Sequence, residues 1–363
     1  MKKAITIIAL LTAVSLFCTG CFHGGEKTES IVTSGERMTD CAGRTVELPR
    51  EKERIACLYA YTGHVAVLLQ CEENIVAVVD GLKRDSLMQM KIPGLNELAA
   101  PYNSGAINVE ELAAASPDLI FLRASNLQDE GELEKLDGLA IPYVVVEYVT
   151  MEDQKVSIRI MGQALDREDE AEAYLSYYDE TIAMVRERLA TLPEEAKKTV
   201  YHSVNEVVRT DMPDTLSYQV LDAAGCVNAV ASDKELRIDG EKGYVTVEQI
   251  YLWDPDLILA NEPDALEYFL TDAKFSGLRA VREGAVYQLP VGLSRWAHPG
   301  SLESPLAVLY IASTLYPDYF SDIDMTEEIR DFYDTYFHIS LTDEEIAMIL
   351  KGEGMRAPRK EKQ

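Results

Sequence analysis

A sixteen-residue segment that occurs twice constrains this chain more than any other feature. Residues 107–122 read I-N-V-E-E-L-A-A-A-S-P-D-L-I-F-L, and residues 245–260 read V-T-V-E-Q-I-Y-L-W-D-P-D-L-I-L-A. They align without a gap at an offset of 138. Val109, Glu110, Pro117, Asp118, Leu119 and Ile120 recur as Val247, Glu248, Pro255, Asp256, Leu257 and Ile258. Self-similarity at a fixed offset marks a repeated structural unit. Each copy has a physical sense. Asn108 or Thr246 can cap a short helix whose first turn carries Glu, which the helix dipole favours. Ser-Pro or Asp-Pro ends the helix, and an apolar run of strand length follows.

The surroundings of the two copies also agree. Leu136-Asp137-Gly138-Leu139 precedes a strand at 143–146, and Phe275-Ser276-Gly277-Leu278 precedes one at 285–289. Each half opens with a strand and a helix, at 54–59 and 64–70 in the first and at 199–204 and 218–224 in the second. Strands alternating with helices predict parallel sheets with helices on both faces. The fold class expected is α/β, with two similar Rossmann-like lobes. Between them a helix over 152–165 is followed by a second over 167–190, with Asp166, and Glu168 and Asp169 just after it, reading as a fresh N-terminus. In the second, Ala171, Tyr174, Tyr178, Ile182, Val185 and Leu189 share one face. Such a helix would be roughly 36 Å long and could join the lobes across a ligand cleft. The expected divisions are a signal at 1–20, a flexible tether at 21–38 and a first lobe at 39–151. Connecting helices at 152–192, a second lobe at 193–350 and a disordered tail at 351–363 complete them.

The N-terminus opens with Met1, Lys2 and Lys3, then an uncharged run from Ala4 to Cys18, too short for a spanning helix. A basic start, a short apolar core and small residues before a cut form an export signal. Cys18-Thr19-Gly20-Cys21 resembles the lipobox of bacterial lipoproteins, which implies lipidation at Cys21, although Cys18 stands where Leu is usual. The expected location is therefore the outer face of the cytoplasmic membrane, held by a lipid anchor alone, or the periplasm. In an oxidising compartment Cys41, Cys57, Cys71 and Cys226 could pair, and the sequence leaves their connectivity open; Cys57 and Cys71, set among apolar residues, read as buried free thiols.

Acidic residues outnumber basic ones 62 to 34, for a net charge of -28. That balance argues against nucleic acid and anionic lipid as partners, since both need basic stripes. It leaves room for an anionic ligand, because local cleft residues set the local potential and salt screens the rest.

In a doubly wound sheet, ligands bind beyond the carboxyl ends of the strands. That rule selects Tyr59, Tyr61, Thr62 and His64 after the first strand, and Asp80, Gly81, Lys83 and Arg84 after the second. It adds Arg123, Ser125 and Asn126 after the repeat strand. In the second lobe it selects His202, Asn205, Glu206 and Arg209, then Asn261 and Glu262, then Ser294, Arg295, Trp296 and His298. Tyr and Trp offer flat apolar surface, and Arg offers a fixed fork of donors to carboxylate or phenolate oxygens. Arg295 beside Trp296 puts a cation and an aromatic face on one loop; the competing reading for Arg295 is a salt bridge to a local acid such as Glu303. His202 and His298 are possible axial ligands or hydrogen-bonded structural residues.

With two α/β lobes, a joining helix, a lipobox and a V-E-x-[LI]-x4-P-D-L-I motif in each lobe, the chain resembles the class III solute-binding proteins of ABC importers for ferric siderophores, haem and cobalamin. The segment R-W-A-H-P-G-S-L-E-S-P-L-A-V-L-Y-I-A-S-T-L-Y at 295–316 adds to the likeness. The resemblance implies a monomer that is not an enzyme and has no cofactor of its own. It implies capture of a metal chelate between the lobes and delivery to a permease dimer driven by an ATPase. It also implies that Glu110 and Glu248 pair with permease arginines. Tyr59, Tyr61, Arg123, His202, Asn205, Arg295, Trp296 and His298 are the expected ligand residues. A ferric siderophore or haem is the first expectation; a cobalamin or other corrinoid, or an oxyanion, is the alternative. No direct metal site is expected: a closed Zn or Mn site needs three or four His and carboxylate ligands, His64, His202 and His298 are the usable histidines, and no His-rich loop appears. No G-x-S-x-G, G-x-x-x-x-G-K-[ST], H-E-x-x-H or strand-borne G-x-G-x-x-G motif supports an enzyme.

Overall fold

The computed structural model describes residues 36–103, 105–232, 236–239 and 242–355. The signal, Cys21, most of the tether and residues 356–363 lie outside the described residues.

The repeated segment folds the same way twice. Asn108 accepts a hydrogen bond from Glu111 N and caps the helix Val109–Ala115; Thr246 accepts one from Gln249 N and caps Val247–Trp253. Each helix ends on a left-handed residue, Ser116 at φ 48° and Asp254 at φ 43°. The Asp of each Pro-Asp pair then reaches back to the first strand of its lobe. Arg54 N donates to Asp118 Oδ2 at 3.0 Å, and Thr199 N donates to Asp256 Oδ2 at 2.8 Å. The strands Leu119–Leu122 and Leu257–Ala260 follow, buried along their whole length. The recurrent residues are thus those that start a helix, turn it and register the next strand.

In the first lobe six strands lie in the order Ala106–Ile107, Ala99–Asn103, Ile75–Val79, Ile55–Cys57, Leu119–Leu122, Tyr143–Val145. All neighbours are parallel except the first pair. In the second lobe four parallel strands lie in the order Val227–Asn228, Thr199–Ser203, Leu257–Ala260, Val286–Gln288. The continuous apolar runs of these strands suit sheets covered on both faces. One core runs through both lobes, from Tyr61, Val65 and Phe121 through Tyr174 and Tyr178 to Val200, Leu259 and Trp296. Each lobe has a second, smaller core on its outer face.

The connecting helices are Met151–Leu165 and Glu168–Arg188. Asp166, expected to open the second helix, instead closes the first in a left-handed conformation at φ 56°. Helix Met151–Leu165 packs on helix Ala60–Leu68 of the first lobe, while Glu168–Arg188 packs on Ser304–Leu315 of the second. The joined lobes therefore share apolar packing along two helices.

Two boundaries differ from expectation. Arg37–Thr39 is a strand paired with Thr45–Glu47, and Met38 is buried, so the folded body takes in the end of the expected tether. At the other end Lys351 still belongs to the helix Asp343–Lys351, Met355 is buried, and its carbonyl accepts Ser86 N of the first lobe at 3.1 Å. Helix Met325–Phe337 also packs on Ala60–Leu68. Apolar burial thus draws the last elements of the chain back across to the first lobe.

Candidate ligand cleft

On the first lobe, the carboxyl ends of the strands bring together Tyr59, Arg123, Glu147 and Tyr148. The hydroxyls of Tyr59 and Tyr148 are hydrogen-bonded at 3.0 Å, and the Arg123 guanidinium lies 4.9 Å above the Tyr59 ring. Glu147 orients that guanidinium, accepting Arg123 Nη2 at 3.1 Å and Ala124 N at 3.3 Å. Tyr61 sits beneath, its ring 4.6 Å from that of Tyr148 and its hydroxyl bonded to Ser157 at 2.9 Å. Tyr61 is 1% exposed, so it supports this wall from the core instead of lining it.

On the second lobe, His202, Asn205, Arg209, Glu262, Arg295 and His298 converge. His202 is fully buried on strand Thr199–Ser203. Its Nδ1 lies 3.0 and 3.1 Å from the two carboxylate oxygens of Asp211, which Asn228 also holds at 3.1 Å. A carboxylate only accepts, so Nδ1 is the donor. Nε2 then points away with no partner. Arg295 Nη1 donates to Glu262 Oε1, and Nη2 is 3.5 Å from His298 Nε2. Its acid partner is thus Glu262, not Glu303. Arg209 Nε and Arg295 Nε are buried without partners. Asn205, at φ 66°, donates its N–H to Asn261 Oδ1 at 2.7 Å and ties two neighbouring strand ends together.

Burial and the Arg295 guanidinium push the His298 imidazole well below the usual histidine range, with Arg209 and His202 adding to the effect. His298 is therefore a neutral ring among cations at neutral pH. Trp296 is fully buried and packs edge-on against Tyr310, with ring centroids 5.8 Å apart. The aromatic face expected beside Arg295 is part of the core: residues 295 and 296 point to opposite sides of their loop. His64 is likewise buried, with Nε2 3.0 Å from Asp85 Oδ2.

The two walls approach at Gly300. A β carbon there would stand 3.1 Å from Tyr148 Oη and 3.6 Å from Tyr59 Oη, so the loop bearing Arg295 and His298 reaches the first lobe. Glu147 and Tyr148 were missed from sequence, although the strand-end rule, applied to Tyr143–Val145, selects them. Asp211 carried no signal, because its loop returns to His202 only in three dimensions. Glu110 and Glu248 are both exposed in the first turns of their helices. The Glu248 carboxyl is held below its usual range by its own backbone N–H and by Thr246. Among the described residues Cys41, Cys57, Cys71 and Cys226 are unpaired, no cluster of His, Cys, Asp and Glu could hold a metal ion, and no helix is long and apolar enough to cross a membrane.

Two parallel-sheet lobes sharing one core, with polar strand ends facing each other, define a class III solute-binding protein of the kind that serves ABC transporters. The chain matches the Periplasmic binding protein family over residues 55–291 and belongs to it. That family consists of exported binding proteins, not enzymes, that work with a permease and an ATPase on a small ligand. A periplasmic solute binding protein from Veillonella parvula is 30% identical, with a TM-score of 0.74 over 87% of this chain and 96% of that one. The molybdate-binding protein MolA of Haemophilus influenzae is 22% identical over 84% of this chain and 91% of its own length. CeuE of Helicobacter pylori, solved with Ni(II) bound, is 20% identical, with a TM-score of 0.70 over 87% of this chain and 99% of that one.

Proposed function

We propose that this protein delivers a compact oxyanion of the molybdate type to its importer. The observation that carries the reading is the set of buried, unpartnered nitrogens His202 Nε2, Arg209 Nε and Arg295 Nε gathered around His298. Buried polar groups are ordinarily satisfied, and an unmatched group is costly. An oxyanion brings acceptor oxygens on all sides and suits N–H donors of arginine. A macrocycle or catecholate needs flat apolar walls, and Trp296 and Tyr61 are turned into the core. The likeness to a molybdate-binding protein supports the same direction. Arg123 over Tyr59 on the facing wall favours a second reading, an anionic ferric chelate spanning both lobes.

In this proposal the arginines and histidines bind the anion, Glu262 and Asp211 orient them, and Tyr59, Tyr148 and Gly300 close the first-lobe side. Cys21 carries the lipid anchor, the protein acts as a monomer without a cofactor, and Glu110 and Glu248 dock on the permease.

The test is thermal stability against molybdate, tungstate, ferric siderophores, haem and cobalamin. A ligand at 100 times its Kd stabilises by about 2.7 kcal/mol. Molybdate or tungstate is expected to raise Tm, and Arg295→Ala to weaken binding by about 10- to 100-fold, equivalent to ~1.5–3 kcal/mol for a charged hydrogen bond. A shift with a ferric chelate and none with the oxyanions would select the second reading.

A further inference from the structure

The cleft loop from Pro290 to Glu303 carries Arg295, His298 and Gly300, yet it is neither helix nor strand. Its shape is set from inside by one carboxylate. Glu303 is fully buried; both of its oxygens hold the start of the loop, and one of them also reaches its end. Oε1 accepts Leu293 N at 3.1 Å and the Tyr333 hydroxyl; Oε2 accepts Ser294 N at 3.0 Å and Ser301 Oγ at 3.1 Å. The Tyr333 hydroxyl also lies 3.3 Å from Leu293 N. Gly292 passes so close that a β carbon would collide with both Glu303 Oε1 and Tyr333 Oη. On the far side, Gln154 of the connecting helix donates to the Ser301 carbonyl at 3.0 Å.

We infer that Glu303 is the positioning residue of the ligand site: it holds residues 293–301 in the one shape that brings Arg295 and His298 to the cleft. The inference deepens the anion-binding reading and rests on it only for the identity of the ligand. Two successive backbone N–H groups, at Leu293 and Ser294, are buried where no helix or sheet can satisfy them. A buried backbone group must find a partner, and a carboxylate with two accepting oxygens is the side chain that serves both at once. Glutamine has one accepting oxygen and turns an NH2 toward one of those donors, which opens that end of the loop. Burial raises the Glu303 pKa, whereas Tyr333 and Ser294 N–H counter the rise.

Trp296 lies within this loop, and the chain has only one other tryptophan, Trp253, which packs on Tyr201 outside the cleft. A Trp253→Phe background therefore leaves Trp296 as the sole indole reporter. The Glu303 carboxylate neighbours the Trp296 indole, so emission responds to the charge itself and loop loosening is read from quenching. In ligand-free protein on this background, Glu303→Gln is expected at least to double the quenching of Trp296 by acrylamide, with far-UV circular dichroism unchanged. Molybdate affinity is expected to fall about tenfold or more, although every ligand-facing side chain is intact. Tyr333→Phe removes one donor to Glu303 and a second, longer acceptor of Leu293 N but leaves the carboxylate in place; it is expected to shift quenching and affinity in the same direction by less, and it decides the matter if Glu303→Gln does not fold. Unchanged quenching in the variants overturns the inference, as does a loosened loop with undiminished affinity. If the parent protein binds no molybdate, the anion reading falls, and the fluorescence result alone decides the role of Glu303.

Discussion

His298 shows how a cleft residue is tuned by what surrounds it. The ring is kept neutral by burial first and by the Arg295 charge second, so its folded pKa lies below the ordinary value of about 6.5. In the unfolded chain the ring takes up its proton first as pH falls. Stability from this group is therefore intact above about pH 6.5 and is lost as pH falls through the folded value. His298→Gln is expected to flatten the acid limb of the Tm–pH curve relative to the parent, measured by thermal unfolding between pH 5 and 8. Superimposable acid limbs would show that His298 is not held neutral. The sequence exposed His298 and Arg295 as cleft candidates because both follow a strand end. It did not expose the pairings: Glu262 was a cleft candidate from a different strand end with nothing to tie it to Arg295, and Asp211 meets His202 only because the intervening chain loops back. Trp296 was misread for a related reason. A loop has no fixed periodicity to say which neighbour faces inward, and the space under the loop takes the larger apolar ring.

At the scale of elements, the repeated segment was legible because its residues act locally. A cap at Asn108 or Thr246, a left-handed exit at Ser116 or Asp254 and a reach-back from Asp118 or Asp256 all operate within a few residues of one another or on the adjoining strand. The two aspartates are not equal, however. Asp256 also accepts Arg279 Nη1 at 2.6 Å, whereas Arg54 holds the first-lobe turn through the Ser116 and Ala115 carbonyls. Asp118→Ala is expected to cost about 1 kcal/mol and Asp256→Ala about 2 kcal/mol, since the second also loses a charged hydrogen bond. Urea unfolding of the two variants measures the difference, and a larger loss at Asp118 would contradict this account of the motif. The helix boundary at Asp166 was less legible, because an aspartate can cap a start or take a left-handed exit, and packing decides between them.

On the scale of the whole molecule, two like lobes share a core through the connecting helices, and helix Met325–Phe337 and Met355 return to the first lobe. That return was hidden in the sequence, where a C-terminal helix belongs by default to the lobe before it. A shared apolar core resists large lobe motion, so the exposed surface of each lobe stays in a fixed relation. Glu110 and Glu248 are exposed at corresponding places on the two lobes, where acidic groups would steer association and fix register. Glu110→Ala combined with Glu248→Ala is expected to abolish ligand-stimulated ATPase of the reconstituted importer while leaving ligand affinity within twofold. Full stimulation would remove both from the docking surface. The central claim, that the cleft captures an oxyanion through Arg209, Arg295 and the two histidines, is tested most directly by anomalous diffraction from crystals grown with molybdate. The account predicts a single molybdenum peak within hydrogen-bond reach of Arg295, with His298 beside it and Glu262 still holding the guanidinium. A cleft without molybdenum, or a peak away from these residues in protein whose loop is ordered, would contradict it.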